Sequence, residues 1–162
     1  MISVIIPTLN EENNVERCIE SITAEGADCE IIVADGGSSD RTAETAGRFR
    51  EVVVIETGRG RGLQMNMGGR YSTGEVLLFL HADTVLERGW HGDISSVLED
   101  RSIVGGAFKF RIDDPEIKYR LIEIWVKLRT SLNQTGDFLA DSPTIMYRVS
   151  AAEAQPWWRT KQ

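Results

Sequence analysis

The segment "EVLLFLHADTVL", residues 75–86, carries the clearest structural signal in this chain. Five consecutive apolar residues, 76–80, run directly into His81, Ala82 and Asp83. An unbroken apolar run of this length is typical of a strand that is buried on both faces, as the strands of a parallel sheet are. Imidazole and carboxylate groups are common metal ligands, so the end of this strand is a candidate site.

Apolar runs of the same kind occur three times earlier in the chain and alternate with stretches of helical periodicity. We predict strands at 3–7, 29–35, 51–57 and 75–83. We predict helices at about 11–24, 41–49, 62–72 and 88–99. Strands that alternate with helices at this spacing indicate βαβ units, so the expected fold class is α/β with a mostly parallel central sheet.

The pattern changes after residue 100. A strand at 102–112 is interrupted by two glycines at 105 and 106, and we expect it to join the sheet in a different sense. A long amphipathic helix is predicted at 115–133 and a last strand at about 143–148. Without an internal repeat or a low-complexity linker, residues 1–162 are expected to form one domain.

Composition and charge narrow the function classes. The net charge of −7 is uneven, with 8 basic and 18 acidic residues in 1–100 but 10 basic and 7 acidic residues in 101–162. An acidic main body argues against nucleic acid as a partner. The chain has neither a ~20-residue apolar run nor a basic, apolar leader. Together with two cysteines, Cys18 and Cys29, which we expect to be free thiols, this favours a cytoplasmic location.

Polar clusters follow each of the first three predicted strands as well. They read "PTLNEE" at 7–12, "DGGSSD" at 35–40 and "GRGRGLQMN" at 58–66. Because the carboxyl ends of parallel strands meet at one edge of a sheet, we expect these clusters and "HAD" to line one crevice. Taken singly, each cluster has a plain structural alternative, such as a helix cap, a turn or packing.

In their order along the chain, these motifs resemble those of the family 2 glycosyltransferases. "SVIIPTLNEENNVERCIESI" looks like the opening strand and helix of that family. "IIVADGGSSDRTAE" looks like its "VVDDGSxDxT" element, with Asp35 on the first aspartate, and "HAD" stands where the family has Asp-x-Asp. The subgroup associated with radical-enzyme clusters is more similar still. The resemblance implies the GT-A fold, a Rossmann-like αβα sandwich with a mostly parallel central sheet.

The resemblance also implies a site for a nucleotide-diphosphate sugar, UDP- or GDP-linked, in residues 1–100. Asp35 would contact the base, Arg61 and Gln64 would lie near the ribose and diphosphate, and Asp83 would bind Mn²⁺ or Mg²⁺. For His81, the alternatives of metal ligand and contact to ribose or phosphate stay open. The residues expected at the donor site are Pro7, Thr8, Asn10, Glu12, Asp35, Arg61, Gln64, His81, Ala82 and Asp83.

The resemblance places the acceptor side in residues 101–162. An inverting transferase needs a general base for the acceptor hydroxyl, and Asp137 stands where the family has an acidic residue after a glycine, with Asp141 as the alternative. The chain stops sooner than typical members, so we expect an acceptor side that is incomplete, naturally or through truncation.

The long helix suggests how the acceptor side could be used. Its basic amphipathic character fits a lipid-linked acceptor and peripheral contact with the inner face of the membrane, while packing in the core or in a homodimer is the commoner use of such a helix. Two other functions stay open beside a metal-dependent glycosyltransferase. One is a non-catalytic module that binds nucleotide sugars, and the other is a nucleotidyltransferase.

Overall fold

Strands and helices alternate along the chain in the predicted order. The computed structural model describes residues 1–103, 105–108 and 144–148. The strands are β1 (Ile2–Thr8), β2 (Cys29–Asp35), β3 (Val52–Glu56), β4 (Val76–Leu80), β5 (Gly105–Ala107) and β6 (Thr144–Arg148). The helices are α1 (Val15–Thr23), α2 (Thr42–Ala46), α3 (Arg61–Tyr71) and α4 (Trp90–Val97).

The six strands in the described part of the chain belong to one sheet, in the order β3-β2-β1-β4-β6-β5. The first four are parallel neighbours, which confirms the mostly parallel sheet. β6 pairs antiparallel with both β4 and β5, so β5 runs in the same direction as β1 to β4. The reversal of direction therefore falls on β6, and the prediction that the strand at 102–112 changes sense was wrong. Strand direction is set by the pairing partner, which a short apolar run does not reveal.

The strands bury side chains on both faces of the sheet because successive residues point to opposite sides. One face packs against α1 and α4 through Val4, Ile6, Ile19, Trp90 and Ile94 among others. The opposite face is smaller and packs against Met65 and Met67 of α3. Burial on both sides is confirmed for β1, β2 and β4. It was wrong for β3, which lies at the edge of the sheet, buries only Ile55 and leaves Val53 exposed.

Two glycines allow the close packing of α3 and the turn that follows it. A Cβ on Gly68 would lie 2.4 Å from Cγ2 of Ile5, so α3 can approach β1 only because this side chain is missing. A Cβ on Gly74 would lie 2.5 Å from Oγ of Ser3 and 2.8 Å from its backbone nitrogen.

Helix α1 is shorter than its sequence periodicity predicts. The carbonyl of Glu11 accepts hydrogen bonds from the amides of Asn14 and Val15, at 3.0 and 2.9 Å, and closes a turn before the helix begins. Helix α2 also ends early, at Ala46, and Gly47 forms its C-cap. Among the residues described here, no helix combines the length and apolar character needed to cross a bilayer.

The two cysteines are free and differ in exposure, which gives a test of the fold. Cys18 is buried in α1, and burial raises the pKa of its thiol to about 12, with smaller contributions from Asp83 and Glu11. Cys29 is half-buried, and burial raises its pKa as well. Because the thiolate is the reactive form, we expect iodoacetamide at pH 8 to alkylate Cys29 slowly and Cys18 not at all in the native protein.

Mass spectrometry of labelled peptides checks this prediction. The matched control is Cys29→Ser, which should take up label only after unfolding in guanidinium. Alkylation of Cys18 under native conditions would contradict the burial of α1 against the sheet.

Candidate functional site

The carboxyl ends of β1 to β4 lie at the same edge of the sheet because the four strands are parallel. β2 and β3 lie on one side of β1 and β4 lies on the other, so the connections leave β1 and β4 in opposite directions. The position where the connections change direction is the topological switch point, and ligands of open parallel sheets bind there, beyond the carboxyl ends of the strands. The polar segments predicted to share a crevice therefore begin at the expected edge.

Asp35 organises the turn that follows β2. Its side chain is only 5% exposed and accepts four hydrogen bonds. Oδ1 accepts them from the hydroxyls of Thr8 at 3.0 Å and Ser38 at 2.5 Å, and Oδ2 from the amides of Gly37 at 3.0 Å and Ser38 at 2.8 Å. A carboxylate has about four acceptor positions, so that of Asp35 is fully used within the protein.

Asn10 and Glu12 join the loop after β1 to the loop after β2. Asn10 has a left-handed backbone, with φ of 57°, and its backbone N–H donates to Oγ of Ser38 at 2.9 Å. Its Oδ1 accepts from the amide of Ser39 at 2.8 Å. Oε2 of Glu12 accepts from the amide of Arg41 at 3.1 Å and lies 3.5 Å from Nε of that side chain. These predicted site residues therefore hold the two loops together as one unit.

Asp40 completes this junction and fills the structural role that its sequence position suggests. Its carboxylate accepts hydrogen bonds from the amide of Thr42, the first residue of α2, at 3.0 Å and from the amide of Glu12 at 3.2 Å. The hydrogen bond from the hydroxyl of Thr42 is the main reason that the pKa of Asp40 lies below its ordinary value. Asp40 caps the start of α2 from one position before its N-cap.

Gln64 lies beneath these loops in the first turn of α3. Its side chain is 4% exposed, and Nε2 donates to the carbonyls of Thr8 at 2.6 Å and Ala34 at 2.9 Å. Arg61, the first residue of the same helix, is exposed. Pro7 is half-buried in β1 and pairs in register with Ala34.

The three residues after β4 have different environments. His81 is half-buried, Ala82 is buried and Asp83 is exposed. Burial lowers the pKa of His81, and the Arg61 guanidinium lowers it further, against smaller opposing effects of Asp83 and Glu11. The imidazole is therefore neutral at physiological pH, the form that ligates metals.

Helix α1 and Glu25, two residues beyond its end, hold the segment after β4 in place. The carbonyl of His81 accepts from the thiol of Cys18 at 3.6 Å. Oγ of Ser21 accepts from the amide of Leu86 at 3.1 Å, and Oε1 of Glu25 accepts from the amide of Gly89 at 2.6 Å.

Sequence reasoning missed two groups of residues. Ser21 and Glu25, near and just beyond the end of α1, were missed because a helix periodicity does not show which polar residues face a distant loop. Ser38 and Glu11 lie inside the motifs "DGGSSD" and "PTLNEE", and this position in a motif was the signal that could have identified them. They were missed because residue type alone did not distinguish them from the other polar residues of the same motifs.

The donor set fits a divalent cation shared with a ligand. Across residues 1–103, 105–108 and 144–148, no three His, Cys, Asp or Glu side chains are grouped to hold a metal. Asp83 offers an exposed carboxylate and His81 a neutral nitrogen, which leaves most coordination positions to other oxygens. Mg²⁺ in particular is commonly held by one or two carboxylates together with phosphate oxygens and water.

Several predictions about the acceptor side lie outside the described residues. These are Asp137, Asp141 and the amphipathic helix at 115–133. The predicted last strand at about 143–148 is confirmed as β6.

Comparisons with known proteins converge on one group. The model of the family described as "Glycosyl transferase family 2" matches residues 3–154. Glycosyltransferase AglE of Haloferax volcanii is 30% identical in an alignment 120 residues long, which covers 67% of this chain and 40% of that protein. The chain thus spans less than half the length of this relative.

Solved structures agree on the fold. S. aureus TarS in complex with UDP-GlcNAc superposes with a TM-score of 0.68 and 21% identity, covering 91% of this chain and 45% of that chain. A mannosyltransferase from Pyrobaculum calidifontis, in complex with GDP-Man and Mn²⁺, gives a TM-score of 0.60 and 26% identity, covering 67% of this chain and 35% of that chain.

Proposed function

Because the chain belongs to glycosyl transferase family 2, we propose that it transfers a sugar from a UDP- or GDP-linked donor to a hydroxyl acceptor, with inversion and with Mn²⁺ or Mg²⁺. Its fold is the GT-A fold predicted from the sequence. One observation carries the proposal. The Asp83 carboxylate and the neutral His81 follow β4 beside the interlocked loops after β1 and β2, at the switch point of a parallel sheet. Membership of the radical-cluster subgroup stays a prediction.

The interlocked loops would form the nucleoside side of the site. Pro7, Thr8, Asn10 and Glu12 would lie against the base and ribose, and Asp35 would fix the turn that faces them. Since the carboxylate of Asp35 already accepts four hydrogen bonds, contact with a base N–H requires one of these donors to be exchanged. The two hydroxyl donors can rotate away, whereas the two amides cannot.

The segment after β4 would hold the diphosphate side. Asp83 would ligate the divalent cation with its carboxylate, and His81 would offer a neutral nitrogen to the cation, the ribose or a phosphate. A bound cation neutralises the charge that develops on the leaving diphosphate. Arg61 would supply a fixed positive charge from the start of α3. Ala82 would fill the buried position between His81 and Asp83.

The acceptor side of the proposal rests on sequence alone. Asp137, or Asp141 in its place, would accept the proton of the acceptor hydroxyl. The helix predicted at 115–133 would suit a lipid-linked acceptor at the inner face of the membrane, or packing in a homodimer.

Thermal unfolding with nucleotides tests the donor site. We expect saturating UDP or GDP, at about 100 times its Kd, to stabilise the protein by about 2.7 kcal/mol when Mn²⁺ is present. That corresponds to a rise in Tm of roughly 5–11 °C for a chain of this size. The controls are nucleotide without cation and cation without nucleotide. The absence of a shift with every nucleoside diphosphate tested would contradict the proposal.

Product analysis separates the alternatives. A transferase should hydrolyse the nucleotide sugar slowly even without acceptor, whereas a non-catalytic module should bind it unchanged. Release of pyrophosphate from a nucleoside triphosphate and a sugar phosphate would instead identify a nucleotidyltransferase.

A further inference from the structure

The carboxamide of Gln64 links three elements at the candidate site. It is carried by α3, and it donates to the last carbonyl of β1, that of Thr8, and to the carbonyl of Ala34 near the end of β2. The residue is 96% buried.

The chemistry of the two acceptors fixes the orientation of the amide. Both are carbonyl oxygens, so only the NH₂ group can face them, and its two hydrogens are both used. Gln64 therefore has no N–H left for a phosphate or ribose oxygen. Because the residue is also 96% buried, we take its effect on a donor to pass through the strands and the helix that it joins.

The surroundings of Gln64 are built for this link. The carbonyl of Thr8 also accepts from the amide of Gly36 at 2.9 Å, so both of its acceptor positions are used. A Cβ at position 36 would lie only 3.0 Å from Nε2 of Gln64. The turn after β2 thus leaves room for the carboxamide by having glycine there.

We propose that Gln64 is a positioning residue of the donor site, which sets the start of α3, with Arg61, against the strand ends that carry Thr8 and Asp35. The inference rests on the proposed function, because it concerns how that site is held in shape. It differs from the prediction that Gln64 lies against the ribose and diphosphate.

Two variants test the proposal by titration of UDP in the presence of Mn²⁺. Gln64→Met keeps the volume but donates no hydrogen bond, and we expect it to weaken UDP binding about tenfold. Gln64→Glu can donate to a carbonyl only when protonated, and burial among carbonyls favours the protonated form. Its UDP affinity relative to wild type should therefore be higher at pH 5.5 than at pH 8.

A matched core variant separates positioning from general destabilisation. Ile94→Val removes one methylene from α4 on the other face of the sheet, so it lowers stability without touching Gln64. We expect it to bind UDP within about twofold of wild type, in line with the independence of distant sites.

Each outcome decides between the two proposals. If wild type binds UDP and both Gln64 variants bind it equally well at both pH values, the positioning role is overturned and the proposed function stands. If wild type binds no nucleotide, both are overturned. A loss of affinity in Ile94→Val as large as in Gln64→Met would assign the effect to stability and would also overturn the positioning role.

Discussion

Replacing Asp83 with alanine should reduce metal-dependent sugar transfer, or donor hydrolysis, by roughly 10²–10³-fold, the effect of removing one group that stabilises transition-state charge. Among the described residues, the carboxylate of Asp83 is the acidic group directly after β4, and it is exposed. In the variant, His81 would be the single protein ligand that this segment still offers to the cation. The UDP-dependent rise in Tm should lose the part that requires Mn²⁺.

The fold should not be affected, because exposed side chains of this kind change stability by less than about 0.5 kcal/mol. Asp93→Ala is the matched control, since Asp93 is also an exposed aspartate, in the first turn of α4. It removes the same charge and should retain wild-type activity. Full metal-dependent activity in Asp83→Ala would contradict the metal role, whereas equal losses in both variants would indicate a nonspecific charge effect.

The fold was predictable because its signals are local. β4 and its neighbours are unbroken apolar runs, and the helices between them fit only right-handed connections in a parallel sheet. The direction of β5 and β6 was not predictable, because it depends on pairing between strands about forty residues apart in sequence. No property of the "GGA" segment encodes which partner it meets.

The site was predictable as a location but less so in its contacts. The sequence places Asn10, Asp35 and Gln64 in the polar segments at or after strand ends, where they could contact a ligand or the protein itself. In the structure each uses its polar atoms on neighbouring backbone or hydroxyl groups. Such hydrogen bonds depend on which loops meet in space, so residue type and spacing alone cannot distinguish them from ligand contacts.

Asp35 allows the structural contribution and the ligand contribution to be separated. Removing its carboxylate in Asp35→Ala leaves two hydroxyls and two amides without their acceptor, one of each from Ser38. Hydrogen bonds to charged groups contribute about 1.5–3 kcal/mol each, and water replaces some of them. We therefore expect a loss of about 3 kcal/mol in the free energy of unfolding, and a Tm lower by roughly 6–12 °C.

Asp35→Asn should retain most of this stability, because its carbonyl oxygen can accept from the amides of Gly37 and Ser38. Its NH₂ group can donate to the hydroxyls of Thr8 and Ser38, which rotate to accept. We expect a stability loss of about 1 kcal/mol, the value of a typical hydrogen bond. Urea unfolding curves measure both variants, with Glu56→Gln, an exposed acid paired with Asp35 in the sheet, as the control.

The asparagine variant then decides what Asp35 does for the donor. If the carboxylate accepts a base N–H, Asp35→Asn should bind UDP at least about tenfold more weakly while staying folded, because an amide NH₂ would face that donor. If Asp35 only shapes the turn, UDP affinity should follow stability and stay close to wild type. A stability loss in Asp35→Asn equal to that in Asp35→Ala would contradict the hydrogen-bond arrangement on which both expectations rest.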